Sequence, residues 1–119
     1  MQFIKEVHEG DIVLAPFHFA ENNEAKLRPC LVWSMTPVSV TLVFITSKKL
    51  SKDFPTEVLL NEKNAALLGL HQPGRIDFGK RDRCLPHDIV KVIGNIAALP
   101  RASMKECADA AAAAFLLEE

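Results

Sequence analysis

The strongest constraint on the fold is a succession of short β-forming segments that proline and glycine interrupt throughout the first four-fifths of the chain. Residues 40–46 read Val-Thr-Leu-Val-Phe-Ile-Thr, and comparable runs occupy residues 12–19 and 30–33. β-Branched and aromatic side chains at this density favour strands. Further candidate strands lie at residues 57–60, 75–78 and 89–96. Many short strands joined by such turns predict a small barrel or sandwich.

The connections between these segments carry their own signals. Pro16 lies inside the first segment, and because proline lacks a backbone N–H we expect the strand to break there. The sequence Met-Thr-Pro at residues 35–37 predicts a tight turn, so the flanking strands should form a hairpin. Two polar stretches, residues 20–27 and 48–56, are predicted loops, where binding residues are often carried on a rigid scaffold.

Two stretches depart from the β pattern. Asn61 precedes a helix-forming segment that stops at Gly69, which predicts two helical turns. Ser103 and Glu106 have the Ser-x-x-Glu spacing of a capping box, which predicts the start of a C-terminal helix. The apolar residues that follow recur at helical spacing and predict one buried stripe. That stripe consists of Met104, Cys107, Ala108, Ala111 and Phe115.

Length and composition limit the function classes. The 119 residues predict a single domain over residues 1–119, and 49% apolar with 24% charged residues exclude intrinsic disorder. Three scattered cysteines suit neither a disulfide framework nor zinc, and we expect no metal site. We see no secretion signal and no apolar run long enough for a membrane span, so we expect a cytoplasmic protein.

The charge balance narrows the mode of nucleic-acid binding. Fourteen basic and fifteen acidic side chains give a net charge of −1. A nonspecific nucleic-acid coat needs a large positive excess, so this class is excluded. A local basic site remains compatible with the composition.

Seven local motifs follow one another along the chain. They begin with Gly-Asp-Ile-Val at residues 10–13 and Arg-Pro-Cys-Leu-Val at residues 28–32. Ile-Thr-Ser at residues 45–47 and Phe-Pro-Thr-Glu-Val at residues 54–58 come next. The last three are Gly-Leu at residues 69–70, Arg-Ile-Asp at 75–77 and Ile-Gly-Asn-Ile at 93–96. In this order the motifs resemble the MazF/PemK family of toxins, and the resemblance runs from Gly10 to about Phe115.

The resemblance implies a fold and an activity. The fold would be mainly β with α, a small SH3-like barrel with one short helix and a C-terminal helix. The activity would be that of a type II toxin, a homodimeric endoribonuclease that cuts single-stranded RNA without metal or cofactor. A cognate antitoxin protein would block the site.

Three departures from the family pattern are visible. Residues 21–25 read Glu-Asn-Asn-Glu-Ala, without the glycine of the family's loop before Arg-Pro. Phe-Gly-Lys at residues 78–80 replaces a Gln-x-Arg segment, and the turn at residues 35–37 is shorter than the family's. The first change bears on the loop and the second on the RNA sequence preference. Neither removes Arg75 or Asp77.

The predicted catalytic residues are Arg75 and Asp77. Metal-free RNA cleavage needs a base for the ribose 2′-OH and a positive group for the charge on the phosphate. Residues two apart on a strand share one face. The family assigns the base to Asp and an acid or phosphate-stabilising role to Arg, and we favour stabilisation because the pKa of arginine exceeds ~12. The alternative is a plain cross-strand ion pair.

Five residues are predicted to bind substrate. Arg28 is held extended by Pro29 and contacts the phosphate in the family, while the hydroxyls of Thr46 and Ser47 either bind phosphate or cap the turn. His18 lies at the edge of the predicted pocket and is either half-buried or able to assist proton transfer. Lys26 is the fifth, and together with the loop residues Lys48 and Lys49 it either lines an RNA path or is merely solvated.

Two other functions remain open on the same barrel. One is a non-catalytic binding module, for example a CcdB-like protein inhibitor, because a fold does not fix a function. The other is an RNase relative inactivated by its altered loop. The retention of Arg28, Thr46, Arg75 and Asp77 favours the nuclease.

Overall fold

The computed structural model of the protein describes residues 6–18, 25–48 and 54–118, the last three without side chains. Six antiparallel strands form one curled sheet, a half-barrel, in the order β4-β5-β3-β2-β1-β6. The strands are β1 (Asp11–His18), β2 (Ala25–Thr36), β3 (Ser39–Thr46), β4 (Glu57–Leu60), β5 (Gly74–Cys84) and β6 (Lys91–Asn95). The helices are α1 (Glu62–Leu67) and α2 (Arg101–Glu118), with 3₁₀ turns at Pro86–Asp88 and Ile96–Ala98. The predicted fold class is confirmed.

Side chains alternate between two faces of the sheet, and each face has its own core. The helix-side core joins the sheet to α2, with Leu31, Val43 and Ile76 from the strands and Cys107 and Ala111 from the helix. The opposite core is built by the neighbouring strand positions, among them Cys30, Val32, Leu42 and Phe44. Because Ile76 and Phe78 belong to the helix-side core, Arg75 and Asp77 lie on the other face.

The predicted hairpin of β2 and β3 is confirmed, but the predicted position of its turn, residues 35–37, was wrong. The β2–β3 turn consists of Pro37 and Val38, and Thr36 is still paired with Ser39.

The predicted break of strand β1 at Pro16 was wrong, because Pro16 pairs in register with Leu27 of β2. Strand β6 pairs with β1 along residues 11–14, and among the described residues no strand pairs with Pro16 on that side, so the missing N–H of Pro16 costs no ladder hydrogen bond there.

The predicted loops are only partly described. Residues 25–27 belong to strand β2 rather than to a loop, while residues 20–24 and 49–53 lie outside the described residues. Strand β5 is longer than predicted, and β6 starts at Lys91 rather than at residue 89.

Helix α1 is confirmed with its predicted cap. The Asn61 side chain accepts a hydrogen bond from Asn64 N at 2.8 Å, and Gly69 follows the helix with φ +81°. The left-handed backbone at Gly69 explains why glycine ends this helix.

Helix α2 begins earlier than predicted, at Arg101, so the capping box of Ser103 and Glu106 was wrong. The Ser103 hydroxyl instead accepts a hydrogen bond from Asn64 Nδ2 at 3.0 Å, which ties α2 to α1. The buried stripe also differs, since Ala108 and Phe115 are exposed. Its buried members are Ser103, Cys107, Ala110, Ala111 and Ala114. Within the described ranges, no helix is long and apolar enough to cross a membrane.

Candidate functional site

Three of the predicted substrate-binding residues meet in one cavity of about 400 Å³, which we call the cationic cavity. Arg28 lies near the start of β2, and Thr46 and Ser47 lie at the end of β3. Antiparallel pairing of these strands brings the start of one beside the end of the other. The hairpin therefore assembles this group, although 18 residues separate Arg28 from Thr46 in the chain.

The Thr46 hydroxyl has a defined structural role within this cavity. Thr46 is buried, and its Oγ1 accepts a hydrogen bond from Lys48 N at 3.1 Å. A hydroxyl that accepts in this way still has its own O–H to donate. Turn capping and phosphate binding are therefore compatible at Thr46, whereas Ser47 is exposed beside it.

Three polar residues of the cavity wall were missed by sequence reasoning. Lys91 comes from the start of β6, and His71 and Gln72 come from the segment between Gly69 and β5. None of the three belongs to a motif whose chemistry could have revealed it. The apolar part of the wall consists of Leu14, Pro29, Ile45, Leu70, Pro73 and Ile93.

Arg75 is buried and forms an ion pair with Glu57. Glu57 is 1% exposed, and its Oε1 accepts a hydrogen bond from Phe54 N at 2.9 Å. The pair arises because β4 lies beside β5, where Glu57 is in register with Asp77 and Leu59 with Arg75. Within the part of the chain that the structure describes, Arg75 Nε has no hydrogen-bond partner. Sequence reasoning missed Glu57 as a partner, although it lies in the Phe-Pro-Thr-Glu-Val motif.

Asp77 faces a different cavity, of about 350 Å³, which we call the Asp77 cavity. Its wall also includes Phe54, Thr56 and Lys80. Asp77 Oδ1 accepts hydrogen bonds from Gly79 N at 2.9 Å and from Thr56 Oγ1 at 3.4 Å. Arg75 is not among the described residues that line either cavity, although its neighbour Gly74 lines the cationic cavity and Asp77 lines the other.

His18 and Lys26 lie apart from both cavities. The His18 backbone N–H donates to Asp82 Oδ2 at 2.6 Å, and its ring Nδ1 lies 2.9 Å from the same oxygen. Lys26 is exposed on β2, in register with Phe17. Neither residue is among the described residues that line the cationic cavity or the Asp77 cavity.

Cys30 lies two residues from Arg28 but is no candidate nucleophile. Burial raises the pKa of the Cys30 thiol to about 12, and its Sγ donates to Arg28 O at 3.4 Å. A thiol with such a raised pKa carries almost no thiolate near neutral pH. Among the described residues, no three His, Cys, Asp or Glu side chains are grouped in a way that could hold a metal ion.

The family model of the PemK-like, MazF-like toxins of type II toxin–antitoxin systems matches residues 8–115. The chain belongs to this toxin family. The match covers every strand and most of α2, so the resemblance inferred from the seven motifs is confirmed. No curated protein sequence matches this MazF-like chain significantly.

Solved toxin structures share the fold. The Mycobacterium tuberculosis toxin MazF-mt6 is 24% identical over 88% of this chain and 95% of its own, with a TM-score of 0.64. An endoribonuclease from a mycobacterial species, solved in complex with its cognate antitoxin, is 16% identical over 94% and 97%, with a TM-score of 0.67. A crystallised Mtb toxin is 25% identical over 84% and 99%, with a TM-score of 0.58.

Proposed function

We propose that this MazF-like chain is an endoribonuclease toxin that cleaves single-stranded RNA in the cytoplasm without a metal ion or cofactor. The observation that carries the proposal is the cationic cavity, where Arg28, Thr46 and Ser47 converge and where no carboxylate lies among the described wall residues. Cations and hydroxyls in this arrangement suit a phosphodiester. Membership of the toxin family and the structural likeness to mycobacterial endoribonucleases support the same activity.

The reaction that fits these residues is an attack by the ribose 2′-oxygen on the adjacent phosphorus. The bond from phosphorus to the 5′-oxygen breaks, which leaves a 2′,3′-cyclic phosphate and a 5′-hydroxyl end. Asp77 takes the 2′-OH proton, Arg75 stabilises the charge on the phosphate, and the leaving oxygen is protonated from solvent. An RNA strand that runs from the cationic cavity to the Asp77 cavity follows β5 from Gly74 to Asp77, the segment that contains Arg75. His18 and Lys26 contact the strand farther along.

The proposal is tested by incubating the purified protein with single-stranded RNA in excess chelator. We expect cleavage to continue, with cyclic phosphate and 5′-hydroxyl ends on the products. An activity that chelator abolishes and magnesium restores would refute the metal-free mechanism. It would indicate instead that carboxylates hold a metal ion for the reaction.

Two protein partners belong to this proposal. A structural neighbour was solved with its cognate antitoxin, and we propose an antitoxin that covers the cationic cavity here. We also propose that the toxin is a homodimer. The antitoxin is tested by co-expressing this chain with the protein that the neighbouring gene encodes. That protein should bind the chain and suppress its cleavage of RNA.

One observation favours a non-catalytic binding module instead. Arg75 is already neutralised by Glu57, and Asp77 already accepts two internal hydrogen bonds, as structural residues do. In that case the protein would bind a macromolecular target without cutting RNA. Unchanged RNA after long incubation with an excess of folded protein would support this function over the nuclease.

A further inference from the structure

We infer that the cationic cavity seats one nucleotide of the bound RNA, with a phosphate held by Lys91 and the base resting on an apolar floor. The inference rests on the proposed function, and it names a base seat together with a phosphate contact, Lys91, that lies outside the seven motifs. The floor is defined by Leu14, Ile45, Leu70 and Ile93.

The first argument for a bound nucleotide is the charge of the cavity wall. The chain as a whole has a net charge of −1, yet among the described residues the charged side chains that line this cavity are Arg28, Lys48 and Lys91, all positive. Such a local excess of one sign attracts an anion. Lys91 is in register with Leu14 on β1, and both line the cavity, so the sheet positions this ammonium group beside the floor.

The floor is the second step. Ile45 belongs to the helix-side core, and Leu70 and Ile93 pack against that core. The floor is therefore a fixed apolar surface at the end of the core. A nucleobase has flat apolar faces and a charged phosphate attached through the sugar, which matches an apolar floor bordered by cations. Aliphatic side chains carry no hydrogen-bonding groups, so the floor accepts any base.

The dimensions of the cavity decide between RNA and an acidic peptide. About 400 Å³ lies in the range of small-ligand sites, which suits one base and its sugar. A peptide segment that binds a sheet pairs along an extended strand edge instead. We therefore assign the cavity to RNA, and the acidic peptide becomes an outcome of the test.

The test of Lys91 is equilibrium binding of a fluorescent single-stranded RNA. The RNA carries the sequence that the protein cuts in a long transcript, with a 2′-deoxy sugar at the cleaved linkage so that it binds without being cut. Loss of one phosphate contact lowers the slope of log affinity against log salt by about 0.7, or about fivefold in affinity at 0.1 M salt. We expect Lys91→Ala to lower both the salt slope and the RNA affinity by these amounts. The control is Lys105→Ala, because Lys105 lies on α2 and contacts Asp109 at 3.0 Å.

The test of the base seat is a scan of the same RNA with one abasic nucleotide at each position in turn. We expect one position at which removal of the base weakens binding to the parent protein. In Leu70→Ala the same base removal should weaken binding less, because the variant lacks part of the floor that the base contacts. Leu67→Ala, an exposed leucine on α1, should leave the penalty unchanged. Thermal melting of each variant checks that it is folded.

The possible results distinguish failure of this inference from failure of the proposed endoribonuclease function. If the unmodified protein cuts and binds RNA but Lys91→Ala has the parent affinity and salt slope, the Lys91 contact is overturned and the nuclease stands. Equal abasic penalties in parent and Leu70→Ala overturn the base seat. If Lys91→Ala weakens binding of a labelled polyglutamate peptide but not of RNA, the cavity is a protein-docking site. Absence of both RNA binding and cleavage in the parent overturns the proposed function itself.

Discussion

The buried pair of Arg75 and Glu57 makes the simplest mutational test of catalysis ambiguous. Arg75→Ala would leave Glu57 as a buried carboxylate without its cation, and breaking such a pair typically costs about 3–5 kcal/mol of stability. Loss of activity could then reflect unfolding. We therefore predict the behaviour of a double variant, Glu57→Gln with Arg75→Met, which removes both charges at similar volume. It should stay folded by thermal melting, because replacing both members of a buried pair is often neutral or stabilising.

If Arg75 stabilises the transition state, the double variant should cleave RNA about 10²–10³ times more slowly in single-turnover assays, while its RNA affinity changes little. The matched control is Glu57→Gln alone, which keeps the guanidinium and should retain more activity at temperatures where it is folded. A stable double variant with the parent rate would remove Arg75 from the mechanism and leave the pair as a structural element.

At the scale of single residues, the motifs identified side chains that the fold brings together, and the binding roles of these side chains stay predictions. Arg28, Thr46 and Ser47 lie in recognisable motifs and do meet in one cavity. Lys91 could not be predicted, because the β1–β6 pairing that brings it to the cavity joins residues far apart in the chain. Glu57 was missed for a similar reason, since its burial against Arg75 depends on β4 lying beside β5.

The contact between the end of α1 and strand β6 depends on two glycines. A Cβ atom on Gly94 would lie 2.2 Å from Leu68 O, and one on Gly69 would lie 2.1 Å from Ile93 O. Both neighbours are backbone atoms, which cannot move aside as a side chain end can. We predict that Gly94→Ala lowers the free energy of unfolding by about 1–3 kcal/mol, the usual cost of overpacking.

Chemical denaturation of Gly94→Ala beside Val92→Ala measures this effect. Val92 is 39% exposed on the same strand, so its truncation should cost less than Gly94→Ala. Equal stability of Gly94→Ala and the parent would mean that α1 and β6 are free to move apart. Such freedom would also loosen the cationic cavity, because Gly69 and Ile93 both line it.

The presence of each strand and helix was easier to predict from the sequence than the residues at which it begins and ends. The alternation and turn signals located all six strands and both helices, because these signals depend on residues close in sequence. The start of α2 was missed because Ser103 fits a capping box locally, whereas its hydroxyl bonds Asn64 of another helix. The continuity of β1 through Pro16 depends on which neighbouring strand is present, and sequence spacing does not contain that information.

On the scale of the whole molecule, the last prediction concerns the oligomeric state. The sequence predicts an exposed apolar patch from Trp33, Phe44 and the leucine pair at residues 116–117, but Phe44 is 5% exposed, and Trp33 is partly covered by Phe78 and Phe115. The side chains of residues 116–117, also expected there, lie outside the described residues. Large apolar side chains are nevertheless exposed elsewhere, among them Val38 at 71%, Phe54 at 61% and Leu27 at 57%.

Apolar exposure of this extent is compatible with a covering partner, and we predict that a second copy of the chain supplies it. The chain mass is 13.2 kDa, so light scattering at micromolar concentration should give about 26 kDa, twice that value. Because association through apolar surface is little affected by screening, the mass should be the same in 0.1 M and 1 M salt. A mass near 13 kDa would contradict the homodimer. A dimer that separates in 1 M salt would mean that charged groups hold the two copies together.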